Sequence, residues 1–591
     1  IYKNIENLKK YYSCYIQMDD LVFEQSLASE FDTSKFLKKE VNYITDANSG
    51  LYSSQLILDC GSIATNGKFV NFSESWITIP LTMYCYGNDT AVAPLVVSKP
   101  LTFANSAFIC ALKCNSSMQL IHSMNIEFNG VSISQPCNYS NIICNFKVLS
   151  TWSKNDVTKF GSFLNIAPDL TTSMYFNNAA SPYGMGMINN LDGYVTPSLN
   201  VGNGAGVGPS TATIQNTGLL QRQMWSAFTP AVGLTTVAQC ATVNKSYFTT
   251  GAYGTGNVGL WYSIAFIRLK DLHCNVFDRI GLVRGLYVKL YLTLNQSQIA
   301  LTNTSISGTF QINGNWATNG ANITSYSNGT NLVMVTPAVP TVHGGGSIVD
   351  TQASANGINV TVGLGVAKTM NGTVSAIATP LQPNCRLYFV SYTLNPSYEQ
   401  QLISMETTKQ IEYSDYIFNQ CLNIPASQTF TFNITSGASN MKSLLAVPFI
   451  TTTAHADGTF NSILSPFSTS PWTTDYLLGG INNLQIQIAN NNLYNTALIY
   501  NYDVFVNETS RLGLNGSATT GLCSGLLSSD DYDTGYRYMY FNLSRGFSEN
   551  DVLPKSLTIT AQNQNNIALD LLFFIEVTKR FSISIITGQF C

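Results

Sequence analysis

A chain of 591 residues is too long for one hydrophobic core, and two large β-domains fit that length better than four small ones. The formal net charge of -4, with Lys and Arg scattered rather than clustered, argues against a protein that grips nucleic acid by displacing counterions. Charged residues are only 10% of the chain against 12% aromatic residues, so the surface reads as partly made for contact with other protein.

Residues 1–46 hold Lys, Glu and Asp in helical spacing and read as an amino-terminal arm with one or two short helices. The basic runs Lys9-Lys10 and Lys35, Lys38 and Lys39 read as solvated helix faces. The chain begins at Ile1 with no secretory signal in view, so an upstream piece is expected to have been removed or left out. Alternation begins near Ser53. Ile77, Ile79, Leu81 and Met83 face one way and Trp76, Thr78, Pro80 and Thr82 the other, with Pro80 predicting an edge or a bulge. Met124, Ile126 and Phe128 form a second strand, and Asn129-Gly130 predicts a two-residue hairpin turn. Residues 141–160 have helical periodicity, with Ser153 as a cap for a second short helix.

Residues 181–216 are a Gly/Ser/Thr/Asn loop excursion. Strands resume at Ile264 and Phe266, a short helix is expected over 270–280, and Val288, Leu290, Leu292 and Leu294 make the strand that closes the first half. The second half repeats the plan, with a loop excursion at 343–372 and strands at 386–391, 443–451 and 484–488. It ends in three strands, over 557–561, 567–577 and 581–585, with Lys579-Arg580 marking the last turn. The predicted domains are therefore 1–46 as the arm, 47–299 as the first β-domain and 300–591 as the second. The two excursions are expected to be surface loops.

Chemistry is sparse. His122, His273, His343 and His455 are isolated from one another, and no metal-binding, nucleophile-elbow or phosphate-loop motif occurs. Gly344-Gly345-Gly346 reads as a loop, and Asp530-Asp531-Tyr532-Asp533 as a solvated turn lacking the spacing of a calcium loop. No catalytic, cofactor-binding or metal residue is assigned, no cofactor is expected, and an enzyme is not. The 13 cysteines, odd in number and without C-x-x-C, read mostly as buried thiols. Sequons such as those at Asn71, Asn88, Asn244 and Asn507 read as a product of composition. No apolar run is long enough to span a bilayer.

Several stretches, in order and spacing, carry a resemblance. They are Tyr52-Ser-Ser-Gln-Leu-Ile-Leu-Asp59, Ser73-Glu-Ser-Trp-Ile-Thr-Ile-Pro80, Ile126-Glu-Phe-Asn-Gly130, Phe146-Lys-Val-Leu-Ser-Thr-Trp-Ser153, and Ile267-Arg-Leu-Lys-Asp-Leu-His273 with Leu282-Val-Arg-Gly285. Later come Tyr392-Thr-Leu-Asn-Pro396 with Glu399, Lys409-Gln-Ile-Glu-Tyr413, Lys442-Ser-Leu-Leu-Ala-Val-Pro-Phe449, Tyr536-Arg-Tyr538 and Pro554-Lys-Ser556. The chain resembles the double jelly-roll major capsid proteins of virophages and Polinton-like viruses, of the adenovirus hexon lineage. The resemblance implies an all-β fold of two tandem eight-stranded jelly rolls with long inserted loops and a few short helices. It also implies a homotrimeric capsomer in the icosahedral shell of a double-stranded DNA virus, located in the virion. The implied partners are further capsomers and penton, minor capsid or cement proteins, with no sequence-specific nucleic-acid binding. The arm would lie inside the shell. The rival reading is a secreted or cell-surface β-sandwich adhesin.

Overall fold

In a computed structural model, the described residues are 35–48, 55–89, 117–164, 256–294, 384–405, 408–434, 439–450, 481–510, 524–529, 536–546, 554–564 and 568–590, with a few short segments between them. The alternating stretches become two pairs of antiparallel sheets. The first pair is built from β1 (Phe36–Thr45), β2 (Gln55–Asp59), β3 (Phe69–Asp89), β4 (Ile121–Phe128), β5 (Val131–Ser132), β6 (Gly256–Arg268), β7 (Leu282–Val283), β8 (Val288–Leu294) and β9 (Arg386–Leu394). One sheet runs β1-β9-β3, with β6 and β7 both on the far side of β3, and the other runs β2-β8-β4-β5. The second pair is built from β10 (Thr408–Ile424), β11 (Thr429–Ile434), β12 (Met441–Ile450), β13 (Ile481–Ile488), β14 (Asn491–Asn492), β15 (Met539–Asn542), β16 (Leu557–Asn563) and β17 (Leu569–Ser584). Its sheets run β10-β17-β12-β15 and β11-β16-β13-β14. In each pair the first and last strands of the set lie side by side in one sheet, and the second and penultimate strands in the other. That interleaving is the jelly-roll order, so the fold is a double jelly roll.

Each roll has its own core. In β8 the burial pattern alternates without a break, with Val288, Leu290, Leu292 and Leu294 inward against Leu56, Leu58, Ile126, Ile77 and Ile79. The second core centres on β17, where Leu569 to Val577 are all buried and Phe573 stacks on Phe432 of β11 at 5.4 Å. The Asn129-Gly130 turn forms as expected, with φ of 50° and 80°, and closes β4 onto β5. Helices α1 (Ser140–Thr151) and α2 (Lys154–Leu164) follow. Ser153 Oγ accepts from the Asp156 N–H at 3.2 Å while the Asp156 carboxylate accepts from the Ser153 N–H at 2.9 Å, a reciprocal cap that starts α2. Among the described residues no helix is long and apolar enough to cross a membrane.

Several expectations change. Phe36–Thr45 lies in the stretch expected to be a helical arm, but it is a strand, because its register against β9 runs from Phe36↔Leu394 to Thr45↔Arg386. The rest of the arm lies outside the described residues. The expected boundary at 299/300 does not follow the pairing. β9, placed in the second domain by the sequence reading, lies between β1 and β3 and closes the first sheet, while β8 is only the penultimate strand. The 343–372 excursion contains two strands, Ser347–Asp350 and Ile358–Val366. The second of these, Ile-Asn-Val-Thr-Val-Gly-Leu-Gly-Val, has the period-2 pattern that its Gly content hid, and it pairs with the far half of β3. The 181–216 excursion lies outside the described residues.

Pro80 marks neither an edge nor a bulge. On one side it faces Ile264 of β6, and on the other it falls in the gap between Arg386, the first residue of β9, opposite Thr78 and Val366, the last residue of Ile358–Val366, opposite Leu81. A residue without an N–H suits a handover between two partners. The expected helix over 270–280 is a 3-10 turn at Leu269–Asp271 and one helical turn at Val276–Arg279. The last two expected strands are one strand of 16 residues, β17, which runs through Lys579-Arg580 without a turn.

Candidate functional site

The place where the structure concentrates polar groups is the junction between the two rolls, and it is built on β10 and β17. These two strands pair from Thr408↔Ser584 to Ile424↔Leu569. Their length lets them serve both cores. Tyr416 and Leu571 to Val577 belong to the second core, whereas Ile411, Tyr413 and Ile583 lie in the first. Phe581 packs edge-on against Phe128 at 6.0 Å and Tyr413 at 5.5 Å. Each such side chain contributes on the order of 2 kcal/mol through burial, so the strand pair is anchored at both ends.

Between the two apolar ends the chain changes character. Asp415 is fully buried, and its Oδ2 accepts from Lys579 Nζ at 2.6 Å and from the Gln135 N–H at 3.0 Å. Asn275, on the first roll, treats β10 as a neighbouring strand. Its Oδ1 accepts from the Ser414 N–H at 2.7 Å, and its own N–H donates to the Ser414 carbonyl at 3.3 Å. Tyr413 Oη donates to the Ile133 carbonyl at 2.9 Å. Lys147 of α1 donates to the His273 carbonyl at 2.7 Å and lies 5.1 Å above the Tyr416 ring. His273 is buried beside Tyr416, and burial pulls its imidazole down to about 4. Its Nε2 and the second carboxylate oxygen of Asp415 have no hydrogen-bond partner among the described residues.

The segment after β17 completes the junction. The Arg284 N–H donates to the Ile585 carbonyl at 2.8 Å, and Arg284 Nη1 meets Glu399 Oε1 at 2.5 Å. Asn129, besides forming its turn, donates from Nδ2 to the Gly588 carbonyl at 2.6 Å. Gly285 and Gly588 have φ of 75° and 70°, and a Cβ on Gly588 would lie 2.4 Å from Leu286 N. Only glycine lets the two backbones come this close. The arrangement joins the two rolls, and its charges and amides are turned on one another.

The sequence candidates are not brought together. His122 is half-buried, edge-on to Tyr139 at 5.1 Å, with its imidazole held below its ordinary value by burial. His273 belongs to the junction. His343, His455, Gly344, Gly345, Gly346 and the carboxylates of Asp530, Asp531 and Asp533 lie outside the described residues, while Tyr532 is buried in the second core. Cys60, Cys137, Cys144 and Cys274 are buried thiols, and burial raises each of them. Asn71 and Asn542 each accept a hydrogen bond from the hydroxyl of the Ser two residues on. Sequence reasoning missed the junction because Asp415 and Lys579 are 164 residues apart. One signal was present: Lys579 falls on the same alternating face as Leu571, Phe573, Ile575 and Val577, and a charge on an apolar face calls for a partner.

No family model and no curated protein matches the chain. Solved structures do. A chain of the Sputnik virophage is 11% identical, with a TM-score of 0.47 over 95% of this chain and 89% of that one. The major capsid protein of mavirus is 10% identical, with a TM-score of 0.43 over 96% and 92%. The Faustovirus major capsid protein is 10% identical, with a TM-score of 0.41 over 94% and 92%. At such identities the likeness is one of fold, and the fold rests on the strand orders described above.

Proposed function

We propose that the protein is the major capsid protein of a double-stranded DNA virus, and that it acts structurally in the virion rather than as an enzyme. The observation that carries this reading is the pair of complete jelly rolls held as one body by β10 and β17. Two upright rolls per chain give a threefold assembly a nearly sixfold outline, which tiles a hexagonal lattice, and closed cyclic symmetry leaves no open growing end. Low charge and high aromatic content suit a surface covered by copies of itself. We propose that three chains form the capsomer and that capsomers then meet one another and penton or minor proteins. For the domains we propose a first roll from β1 to β9 and a second from β10 to β17.

The test is expression of the full chain followed by sedimentation and electron microscopy. Trimers of pseudo-hexagonal outline, or closed shells, are expected. A well-folded species at a single chain mass over a wide concentration range, with no particles, would overturn the reading.

A further inference from the structure

Asn129-Gly130 does more than turn β4 into β5. An asparagine followed by glycine is the one most prone to deamidation, because glycine has no Cβ to obstruct the approach of its nitrogen to the neighbouring carboxamide. In that reaction the Gly130 nitrogen attacks Cγ of Asn129. The N–Cγ bond forms, the Cγ–Nδ2 bond breaks, and the amide group leaves as ammonia with the proton of the Gly130 N–H. Water then opens the five-membered imide at either carbonyl and leaves aspartate or isoaspartate. Gly130 is exposed at the tip of the turn, so water and base reach the attacking nitrogen.

The carboxamide, by contrast, is held at both ends. Asn129 Oδ1 accepts from the Tyr287 N–H at 3.2 Å, and Nδ2 donates to the Gly588 carbonyl at 2.6 Å. One partner is a donor and the other an acceptor, so the amide has a single orientation that satisfies both. It cannot turn Cγ toward the Gly130 nitrogen without giving up these bonds. The Gly588 carbonyl is itself fixed by the segment after β17. The Gly588 N–H donates to the Ser584 carbonyl at 2.8 Å, Arg284 Nε donates to the Ile586 carbonyl at 3.2 Å, and Phe590 packs edge-on against Phe581 at 5.5 Å.

A second Asn-Gly pair lacks this shield. Asn66 and Gly67 are both exposed, and Gly67 has a φ of 67° against 80° for Gly130. Among the described residues no hydrogen bond engages the Asn66 side chain. The two pairs share their chemistry and differ in what holds the carboxamide.

We propose that Asn129 is a latent deamidation site, shielded while the segment after β17 lies across the turn, and that its conversion makes the opening of that segment irreversible. A carboxylate at this position has no N–H to give the Gly588 carbonyl and sets oxygen against oxygen. Isoaspartate adds a methylene to the backbone of a two-residue turn whose length sets the register of β4 on β5. Local opening thus becomes a one-way step at the junction of the rolls. The inference concerns Asn129 itself and holds whatever assembly the chain enters.

The test holds the full chain folded in mildly alkaline buffer and follows conversion at both Asn-Gly pairs by peptide mass spectrometry. Asn129 is expected to convert roughly 20-fold more slowly than Asn66 in the folded chain, and at a comparable rate in full denaturant. Gly588→Ala, which displaces the segment, is expected to bring Asn129 within a few-fold of Asn66. Should that variant fail to fold, the unsubstituted chain in sub-denaturing urea decides the point: conversion at Asn129 should rise together with hydrogen exchange over residues 585–590, before the rolls unfold. Asn129→Asp is expected to quicken exchange over the same residues roughly 10-fold. Equal rates at Asn129 and Asn66 in the folded chain, or conversion of Asn129 only on global unfolding, would overturn the shield. Unchanged exchange in Asn129→Asp would overturn the one-way step.

Discussion

Asp415 and Lys579 meet diagonally across the β10–β17 pair, one residue step either side of the Ser414↔Thr578 partners, with the carboxylate fully buried and the ammonium about a quarter exposed. A buried charge is tolerated while it is paired and bonded. Removing one partner leaves the other in a low-dielectric site, which costs about 3–5 kcal/mol. Lys579→Met is therefore expected to destabilise the chain by about that amount in denaturant unfolding. The double variant Asp415→Asn, Lys579→Met is expected to recover a large part of the loss, and a double variant no better than the single one would count against this account.

Acid is expected to loosen the junction through His273. Burial holds its imidazole at about 4, with Asp415 nearby opposing the shift and Lys147 adding to it, whereas the unfolded chain binds the proton near 6.5. Between those values the unfolded state carries more protons, so stability is full above the unfolded value and falls as pH drops toward 4. The loss approaches about 3 kcal/mol. Unfolding midpoints from pH 7 to pH 4 should fall more steeply for the unsubstituted chain than for His273→Leu. Parallel slopes would assign the acid sensitivity to other groups.

Gly588→Ala is expected to lift the segment after β17 off the first roll. The new Cβ meets backbone atoms of Gly285 and Leu286, and the positive φ adds about 1–2 kcal/mol of its own. The cost should exceed ~2 kcal/mol, and amide hydrogen exchange should quicken over residues 585–590. Gly67→Ala shares the positive φ but has nothing within 4 Å, so it should cost only the backbone part.

Ser153→Ala is expected to remove about 1 kcal/mol by deleting the reciprocal cap of α2. Because α2 carries Phe163 against Phe266, hydrogen exchange should quicken over Lys154–Leu164 before it changes in β6.

Local pattern made much of this fold legible. β8, β13 and β16 show unbroken or nearly unbroken alternation, and Asn129-Gly130 and Ser153 announce their turn and cap in adjacent residues. Pairing between distant strands was not legible. Nothing in Arg386–Leu394 says that it completes a sheet begun at Phe36, since both candidate sheets offer the same alternating, β-branched and aromatic surface. The single turn predicted at Lys579-Arg580 failed for a related reason: two adjacent charges usually mean solvent, but here one answers Asp415 and the other Glu412, both on the neighbouring strand. Apart from Lys579, the junction left no mark in the sequence, because its members come from five separate stretches of chain.

The nesting of β1 with β9 bears on synthesis. The partner of Phe36 arrives about 350 residues later, which at roughly 5–20 residues per second takes on the order of 20–70 s. Throughout that interval the strand that the first sheet needs between β1 and β3 is still unmade, and two apolar strand edges stand open on the ribosome. The second roll must wait again, for β17, the last of its described strands and the one its core is built around. The first roll cannot close until Leu394 has been made and the second until β17 has, so in each roll the edge of the first strand stays without its partner for most of that roll's synthesis.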